Sequence, residues 1–131
     1  MPAAFSDRRA PPSVGDRFVV AGFGVAVPGD RKSAGLLRAA TLVATDRPSP
    51  QQLSLVDPQT LGESAGLGVC NGDSGGPVFD ARDRALVGIV SWSGRTDGEP
   101  ICGFVSGVIP LARYRHWILE TAAKLGSPLE P

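Results

Sequence analysis

The chain has 131 residues, 42% of them hydrophobic, which is typical of one globular unit with a single core. Thirteen Lys and Arg balance thirteen Asp and Glu, so the formal net charge is zero. This balance, without a block of one sign, argues against nucleic acid or an anionic membrane as the partner. The sequence also lacks an apolar run of the roughly 20 residues that a membrane-spanning helix needs.

The glycine and proline content indicates an all-β protein. Seventeen Gly and twelve Pro are typical of many short strands joined by tight turns. Five segments have the apolar and β-branched content of strands, and these are 17–27, 36–45, 53–56, 85–92 and 102–108. Gly22 and Gly24 inside the first segment indicate a bulge or a close backbone approach.

The last element changes to a helical period. Pro110 stands at a plausible first helical position, and Gly126 with Pro128 would end the helix. Apolar residues recur at three- and four-residue steps at Leu111, Tyr114, Trp117, Ile118, Ala122 and Leu125. This stripe predicts packing against the core. His116 lies off the stripe without ligand-type neighbours, so we interpret it as a surface residue and expect no metal site.

The two cysteines, Cys70 and Cys102, allow two interpretations. A bridge between them would stabilise the fold by about 3 to 4 kcal/mol in the chain-entropy estimate. Two buried free thiols in a reducing compartment are the other possibility. The start of the chain has no apolar core of a secretory signal, so we expect either a cytoplasmic protein or a chain whose true start is missing.

The most informative segment is Gly-Asp-Ser-Gly-Gly-Pro at 72–77, which follows Cys70 and precedes an apolar run. Taken alone, such a string is also typical of a polar turn. Its length and its flanking residues favour a nucleophile loop, in which Ser74 requires a base to remove its hydroxyl proton.

This segment matches the nucleophile loop of trypsin-like proteases, and the order of landmarks continues along the chain. Val-Ser-Trp at 90–92, Cys-Gly at 102–103, the Trp-Ile pair within 114–118 and Val-Ala-Gly-Phe-Gly at 20–24 all have counterparts in that family. The chain therefore resembles the second, C-terminal barrel of a chymotrypsin-type serine protease, similar to bacterial secreted members.

The resemblance implies a fold. It implies an all-β, six-stranded antiparallel Greek-key barrel with a C-terminal α-helix. The barrel and helix would occupy 16–126, with a linker or tail at 1–15 and a short tail at 127–131. The family joins the positions of Cys70 and Cys102 by a disulfide, which favours an oxidising compartment.

The resemblance also assigns catalytic roles. Ser74 would be the nucleophile, and the backbone N–H groups of Gly72 and Ser74 would bind the oxyanion. Asp73 would pair with a new N-terminal ammonium and hold the loop in shape. Ser91 would support the buried catalytic aspartate, and Trp92 would shape the substrate channel.

The specificity pocket follows by the same resemblance. Gly68 stands at the pocket floor, where trypsin has aspartate, so cleavage after Lys or Arg is not supported. Ser93 would narrow the entrance, and Gly103 would form the far wall. We expect small or medium apolar side chains, with an insertion at 96–101 leaving the alignment of that wall open.

The histidine and aspartate of the family's first barrel have no counterpart. We therefore expect a serine endopeptidase fragment that is inactive alone and needs an N-terminal barrel in cis or in trans. Its substrates would be proteins or peptides, it would need no cofactor, and the family is secreted or periplasmic. The alternative is a catalytically inactive module that binds peptides or proteins.

Overall fold

Six antiparallel strands close into a barrel. The computed structural model describes residues 3–7, 12–27, 29–45, 51–94 and 102–129. The strands lie in the order β1-β2-β3-β6-β5-β4, with β4 beside β1. They are β1 (Arg17–Gly22), β2 (Arg38–Thr45), β3 (Leu53–Val56), β4 (Pro77–Asp80), β5 (Leu86–Gly94) and β6 (Val105–Pro110), followed by the helix α1 (Arg115–Lys124). The predicted barrel with its C-terminal helix is confirmed.

The barrel interior is filled by alternate residues of the strands. Successive side chains of a strand point to opposite faces, so Phe18 and Val20 of β1 and Leu53 and Leu55 of β3 meet in the centre. Each is 5% exposed or less, and burying a side chain of this size stabilises the fold by about 1.5 to 3 kcal/mol. The buried cluster comprises Phe18, Val20, Leu42, Ala44, Leu53, Leu55, Val69, Val78, Val90 and Val108.

Four of the five predicted strand segments differ from the observed strands in their bounds, and one strand was not predicted. The segments predicted at 36–45, 85–92 and 102–108 correspond to Arg38–Thr45, Leu86–Gly94 and Val105–Pro110. The predicted strand at 17–27 ends at Gly22, because the N–H groups of Gly24 and Val25 donate to Asp73 and Asn71 and not to a neighbouring strand. The strand β4 (Pro77–Asp80) was not among the five predicted segments. It has four residues and begins with a proline directly after a glycine-rich loop, so its own sequence carries almost no strand pattern.

The segment around Pro110 was predicted wrongly. Pro110 is the last residue of β6 and pairs with Gly88, and it does not begin the helix. A short 3-10 turn, Ala112–Tyr114, separates the strand from α1. The predicted helix end is confirmed, since the N–H of Gly126 donates to the carbonyl of Ala123 at 3.1 Å.

The apolar stripe packs less closely than predicted, since Leu111, Ile118 and Ala122 are half-buried and none of its residues is fully buried. Trp117 is 65% exposed and Leu125 is 78% exposed. Among the helix residues only Arg115 is buried. Its guanidinium lies 5.0 Å from the centre of the Phe5 ring and donates to the carbonyl of Ser6. The helix is therefore fixed at its first turn and leaves the side chains of Trp117 and Leu125 exposed.

Part of the segment expected as a linker lies against the barrel. The N–H of Ser6 donates to the carbonyl of Leu86, and the N–H of Leu86 donates to the carbonyl of Ala4. Phe5 forms a parallel bridge with Leu86, at the start of β5.

Within the described ranges, no helix is long and apolar enough to cross a membrane.

Candidate active site

The nucleophile loop consists of two tight turns between Cys70 and β4. The N–H of Asp73 donates to the carbonyl of Cys70, and the N–H of Gly76 donates to the carbonyl of Asp73, both at 3.0 Å. Gly72 and Gly75 have φ values of +93° and +85°, a backbone region that is costly for residues with a side chain. The glycines therefore allow the chain to turn sharply on both sides of Ser74.

Ser74 projects from this loop into solvent beside a bulge in β5. Val90 pairs with Val108 and Trp92 pairs with Gly107, so Ser91 is an extra residue that has no partner in the ladder. The Ser74 hydroxyl donates to the carbonyl of Ser91 at 3.4 Å. The N–H of Gly75 donates to the carbonyl of Val90 at 2.8 Å, which attaches the loop to β5.

Asp73 connects the nucleophile loop to the end of β1. Its Oδ1 accepts the N–H of Gly24, and its Oδ2 accepts the N–H of Cys70, both at 2.9 Å. The N–H of Val25 donates to the carbonyl of Asn71 at the same distance. Hydrogen bonds to a carboxylate are stronger than neutral ones. The close backbone approach predicted from the glycines at 22 and 24 is therefore an approach to Asp73.

The Gly24 position leads to a stability prediction. A Cβ there would lie 2.6 Å from the Asn71 carbonyl oxygen and 2.6 Å from Cγ of Asp73. Gly24→Ala is expected to lower the free energy of unfolding by about 2 to 3 kcal/mol, because the clash also weakens the hydrogen bond to Asp73. Urea unfolding measures this.

The matched control is Gly126→Ala, where no heavy atom lies within 4 Å of the added Cβ and φ is +82°. Only conformational strain of about 1 kcal/mol is expected there. Equal losses in the two variants would show that the contact with Asp73 is unimportant.

The segment 66–70, here called the pocket wall, leads into the nucleophile loop. Cys70 is bonded to Cys102, with Cα atoms 5.0 Å apart, so the predicted disulfide is confirmed. The wall borders a cavity of about 330 Å³ whose lining includes Gly68, Asp73 and Gly103. Ser74 and the residues 91–93 are not part of that lining.

The family model described as Trypsin matches residues 1–118. This chain belongs to the trypsin family. Solved structures with the same fold include mouse neuropsin, at 23% identity and a TM-score of 0.69, where the match covers 92% of this chain and 53% of that one. A human heparin-binding protein mutant has 26% identity and a TM-score of 0.66, with 89% and 48% covered. A scabies mite inactivated protease paralogue has 23% identity and a TM-score of 0.66, with 95% and 53% covered.

The chain thus spans about half the length of the trypsin-family structures that it matches. A further match, to another mutant of the human heparin-binding protein, covers 100% of this chain and 53% of the other, with a TM-score of 0.73.

The predicted pocket residues Gly68, Trp92 and Ser93 lie at two places, on the wall itself and on β5. Gly68 is half-buried, and a Cβ at this position would lie 3.2 Å from both Oγ of Ser106 and Cα of Gly103. Trp92 lies across Gly107 and is 38% exposed. Ser93 pairs with Ser106 in the β5–β6 ladder. The predicted insertion at 96–101 lies outside the described residues.

The single histidine of this trypsin-family chain lies on α1. His116 is 95% exposed on α1, and its Nε2 lies 3.4 Å from Oε2 of Glu120. No hydrogen bond connects it to Ser74 among the described residues. Within the same part of the chain, no group of three or more His, Cys, Asp or Glu is placed to hold a metal ion.

Sequence reasoning missed two residues behind the wall. Ser106 is 1% exposed, and its Oγ accepts the N–H of Val69 at 3.0 Å. Asp57 is 6% exposed, and its two carboxylate oxygens accept the N–H groups of Gln59 and Leu67, both at 2.8 Å. The Asp-Pro pair at 57–58 could have signalled the turn at Gln59, but no local pattern indicates the bond to Leu67.

Asp57 is expected to make the stability of the fold depend on pH. The N–H of Leu67, and next that of Gln59, hold the pKa of its carboxyl below the ordinary value of 3.8, against the opposing effect of burial. A lowered pKa in the folded state gives stability that is present above pH 3.8 and is lost as the pH falls through the folded pKa.

We therefore expect the free energy of unfolding to fall more steeply with acidification in the wild type than in Asp57→Asn. Urea titrations above and below pH 3.8 measure both slopes. Parallel slopes would contradict the assignment of the lowered pKa to this carboxyl.

Proposed function

We propose that this chain is the nucleophile-bearing half of a serine endopeptidase. The observation that carries the proposal is the loop at 71–76 of a trypsin-family barrel. In this loop Gly72 and Gly75, both with positive φ, flank the exposed Ser74. A loop that served only as a turn would not need a serine fixed between two glycines beside a bulged strand. Peptide bonds of proteins are the substrate class of the family.

The proposed reaction proceeds through an acyl-enzyme. Ser74 loses its hydroxyl proton to a base and attacks the peptide carbonyl, whose oxygen becomes an oxyanion. The N–H groups of Gly72 and Ser74 donate to that oxyanion. The amine leaves with the proton that the base returns, and water then releases the acyl group by the same route. No metal ion or organic cofactor has a role in these steps.

In this proposal the base belongs to a separate barrel. The one histidine of this chain points into solvent beside Glu120 on α1. We propose that a first barrel, in cis or in trans, supplies a histidine and an aspartate to Ser74. The exposure of Ser74 and Ser91 and the uncovered apolar surface around Trp117 and Leu125 support a missing partner.

The wall supports a substrate preference. Gly68 brings no charge to the pocket floor. Its neighbours Ser106 and Gly103 approach so closely that an aspartate in place of Gly68 would not fit without rearrangement. We propose cleavage after small or medium apolar residues and not after Lys or Arg. In this proposal Ser93 and Trp92 form the entrance and Gly103 forms the far wall.

We further propose that Asp73 keeps the oxyanion loop in shape. Its carboxylate already accepts two backbone N–H groups and borders the cavity of about 330 Å³. An N-terminal ammonium entering this cavity would add a third, charged partner. The disulfide and the family support a secreted or periplasmic location.

A second candidate is a protein-binding module without catalysis. One solved relative in fold is an inactivated protease paralogue, and another is a heparin-binding protein. Among the described residues no histidine lies beside Ser74, which is consistent with such a role. The charge balance of this chain gives no support for heparin as its ligand.

The two candidates are separated by complementation. The chain is prepared alone and with the N-terminal barrel of a related bacterial protease, and hydrolysis of an apolar acyl ester is measured. We expect at least about a hundredfold more hydrolysis in the mixture, because the triad base contributes several orders of magnitude. No hydrolysis in either preparation, together with peptide binding that survives Ser74→Ala, would favour the binding module.

A further inference from the structure

The pocket wall is held by hydrogen bonds from its own backbone. The N–H of Gly66 donates to the carbonyl of Gly103 at 2.9 Å. The N–H of Leu67 donates to Oδ2 of Asp57 at 2.8 Å, and the N–H of Val69 donates to Oγ of Ser106 at 3.0 Å. The N–H of Cys70 donates to Oδ2 of Asp73 at 2.9 Å. Four of the five wall residues are thus fixed by different parts of the fold, and Gly68 lies between two of the anchors.

Of these four anchors, Asp57 alone precedes the wall in sequence. It directly follows β3, and its two oxygens hold both ends of the loop that it begins, at Gln59 and Leu67. The carboxylate is buried against the wall, since a Cβ at Gly66 would lie 2.5 Å from its Oδ2. Charge-assisted bonds of this kind fix geometry more firmly than neutral ones.

We propose that Asp57 is a positioning residue that sets the place of Gly68 and so controls how the pocket receives a substrate side chain. The inference rests on the proposed protease function. Asp57 acts through the N–H of Leu67, the neighbour of Gly68, and touches no reacting atom. Since β3 is part of the closed barrel, this bond ties the pocket floor to the rigid part of the fold.

Replacement of the carboxylate tests this role. Asp57→Asn keeps the shape but offers one acceptor oxygen, so the Leu67 and Gln59 N–H groups cannot both be satisfied. The control is Asp83→Asn, because Asp83 likewise accepts a backbone N–H, that of Ala85 at 3.0 Å, in the turn between β4 and β5.

Hydrogen exchange of the full chain is the first measurement. Asp57→Asn is expected to speed exchange of the amides at 67–70 by about tenfold or more, in line with the loss of one charged hydrogen bond, while Asp83→Asn leaves them unchanged. Unchanged exchange at 67–70 in Asp57→Asn would overturn the proposal. If Asp57→Asn does not fold, Asp57→Ser is measured instead, because its hydroxyl can keep the local turn but is too short to reach Leu67.

Failure of both variants to fold would identify Asp57 as a requirement of the fold and would also overturn the positioning role.

The second measurement uses the complemented preparation and esters with side chains of different size. Asp57→Asn is expected to raise KM by about tenfold and to lower kcat much less, since the substrate side chain is held less well. An equal fall of kcat for all esters with no change in KM would contradict the proposal. If the wild-type mixture hydrolyses nothing, the protease function fails, and the exchange result still decides whether Asp57 positions the wall.

Discussion

Ser74→Ala is expected to remove at least about 10⁶-fold of the hydrolysis measured with the complemented chain, as loss of the nucleophile does in other serine proteases. The reason is chemical, because no acyl-enzyme can form without the hydroxyl oxygen. Initial rates of ester hydrolysis measure the effect, and titration with a peptide checks that substrate binding is retained.

The control for this variant is Ser127→Ala, which removes an exposed hydroxyl after α1. It should hydrolyse at the wild-type rate. Retention of more than a trace of activity in Ser74→Ala would show that a different residue performs the chemistry.

The second large effect concerns the disulfide. The bond between Cys70 and Cys102 closes a loop with a sequence separation of 32 residues. Replacement of both cysteines by serine is expected to lower the free energy of unfolding by about 3 to 4 kcal/mol, because the unfolded chain regains the entropy of that loop. This is a large part of the roughly 5 to 15 kcal/mol that usually stabilises a domain.

Urea unfolding of the double serine variant, beside the wild type with and without reductant, measures the loss. The reduced wild type and the serine variant should unfold at similar urea concentrations. If the free energy of unfolding falls by less than about 1 kcal/mol, the prediction is wrong. The unfolded chain would then already be restricted by contacts other than the disulfide.

Strands with a clear apolar pattern in their own residues could be predicted from the sequence. The strand β3 (Leu53–Val56) was predicted with its exact bounds, since a short apolar run is bounded there by polar residues. Pro110 fits a helix start and a strand end equally well by local rules, and its pairing with Gly88 decided between them. The stripe of α1 was detected, but what covers an apolar face is a property of the whole assembly and not of the helix.

In the candidate site, too, local sequence revealed some residues, while others depend on contacts between distant parts of the chain. Ser74 and the glycines beside it were predicted because the chemistry requires them at fixed spacing within one loop. The bond from Asp57 to Leu67 could not be predicted, since it depends on how a ten-residue loop returns to the end of β3. Ser106 was missed because a buried serine in an apolar strand has no signature until its partner, Val69, is placed beside it.

The central claim is that Ser74 is a nucleophile whose base lies on a separate barrel. Labelling of Ser74 by a fluorophosphonate, located by mass spectrometry of the peptide that contains it, tests this most directly. We expect slow or no labelling of the chain alone and labelling at least about a hundredfold faster when the first barrel is added, because only an activated serine attacks the reagent quickly. Equal labelling with and without the added barrel, or no labelling of Ser74 in either preparation, would contradict the claim.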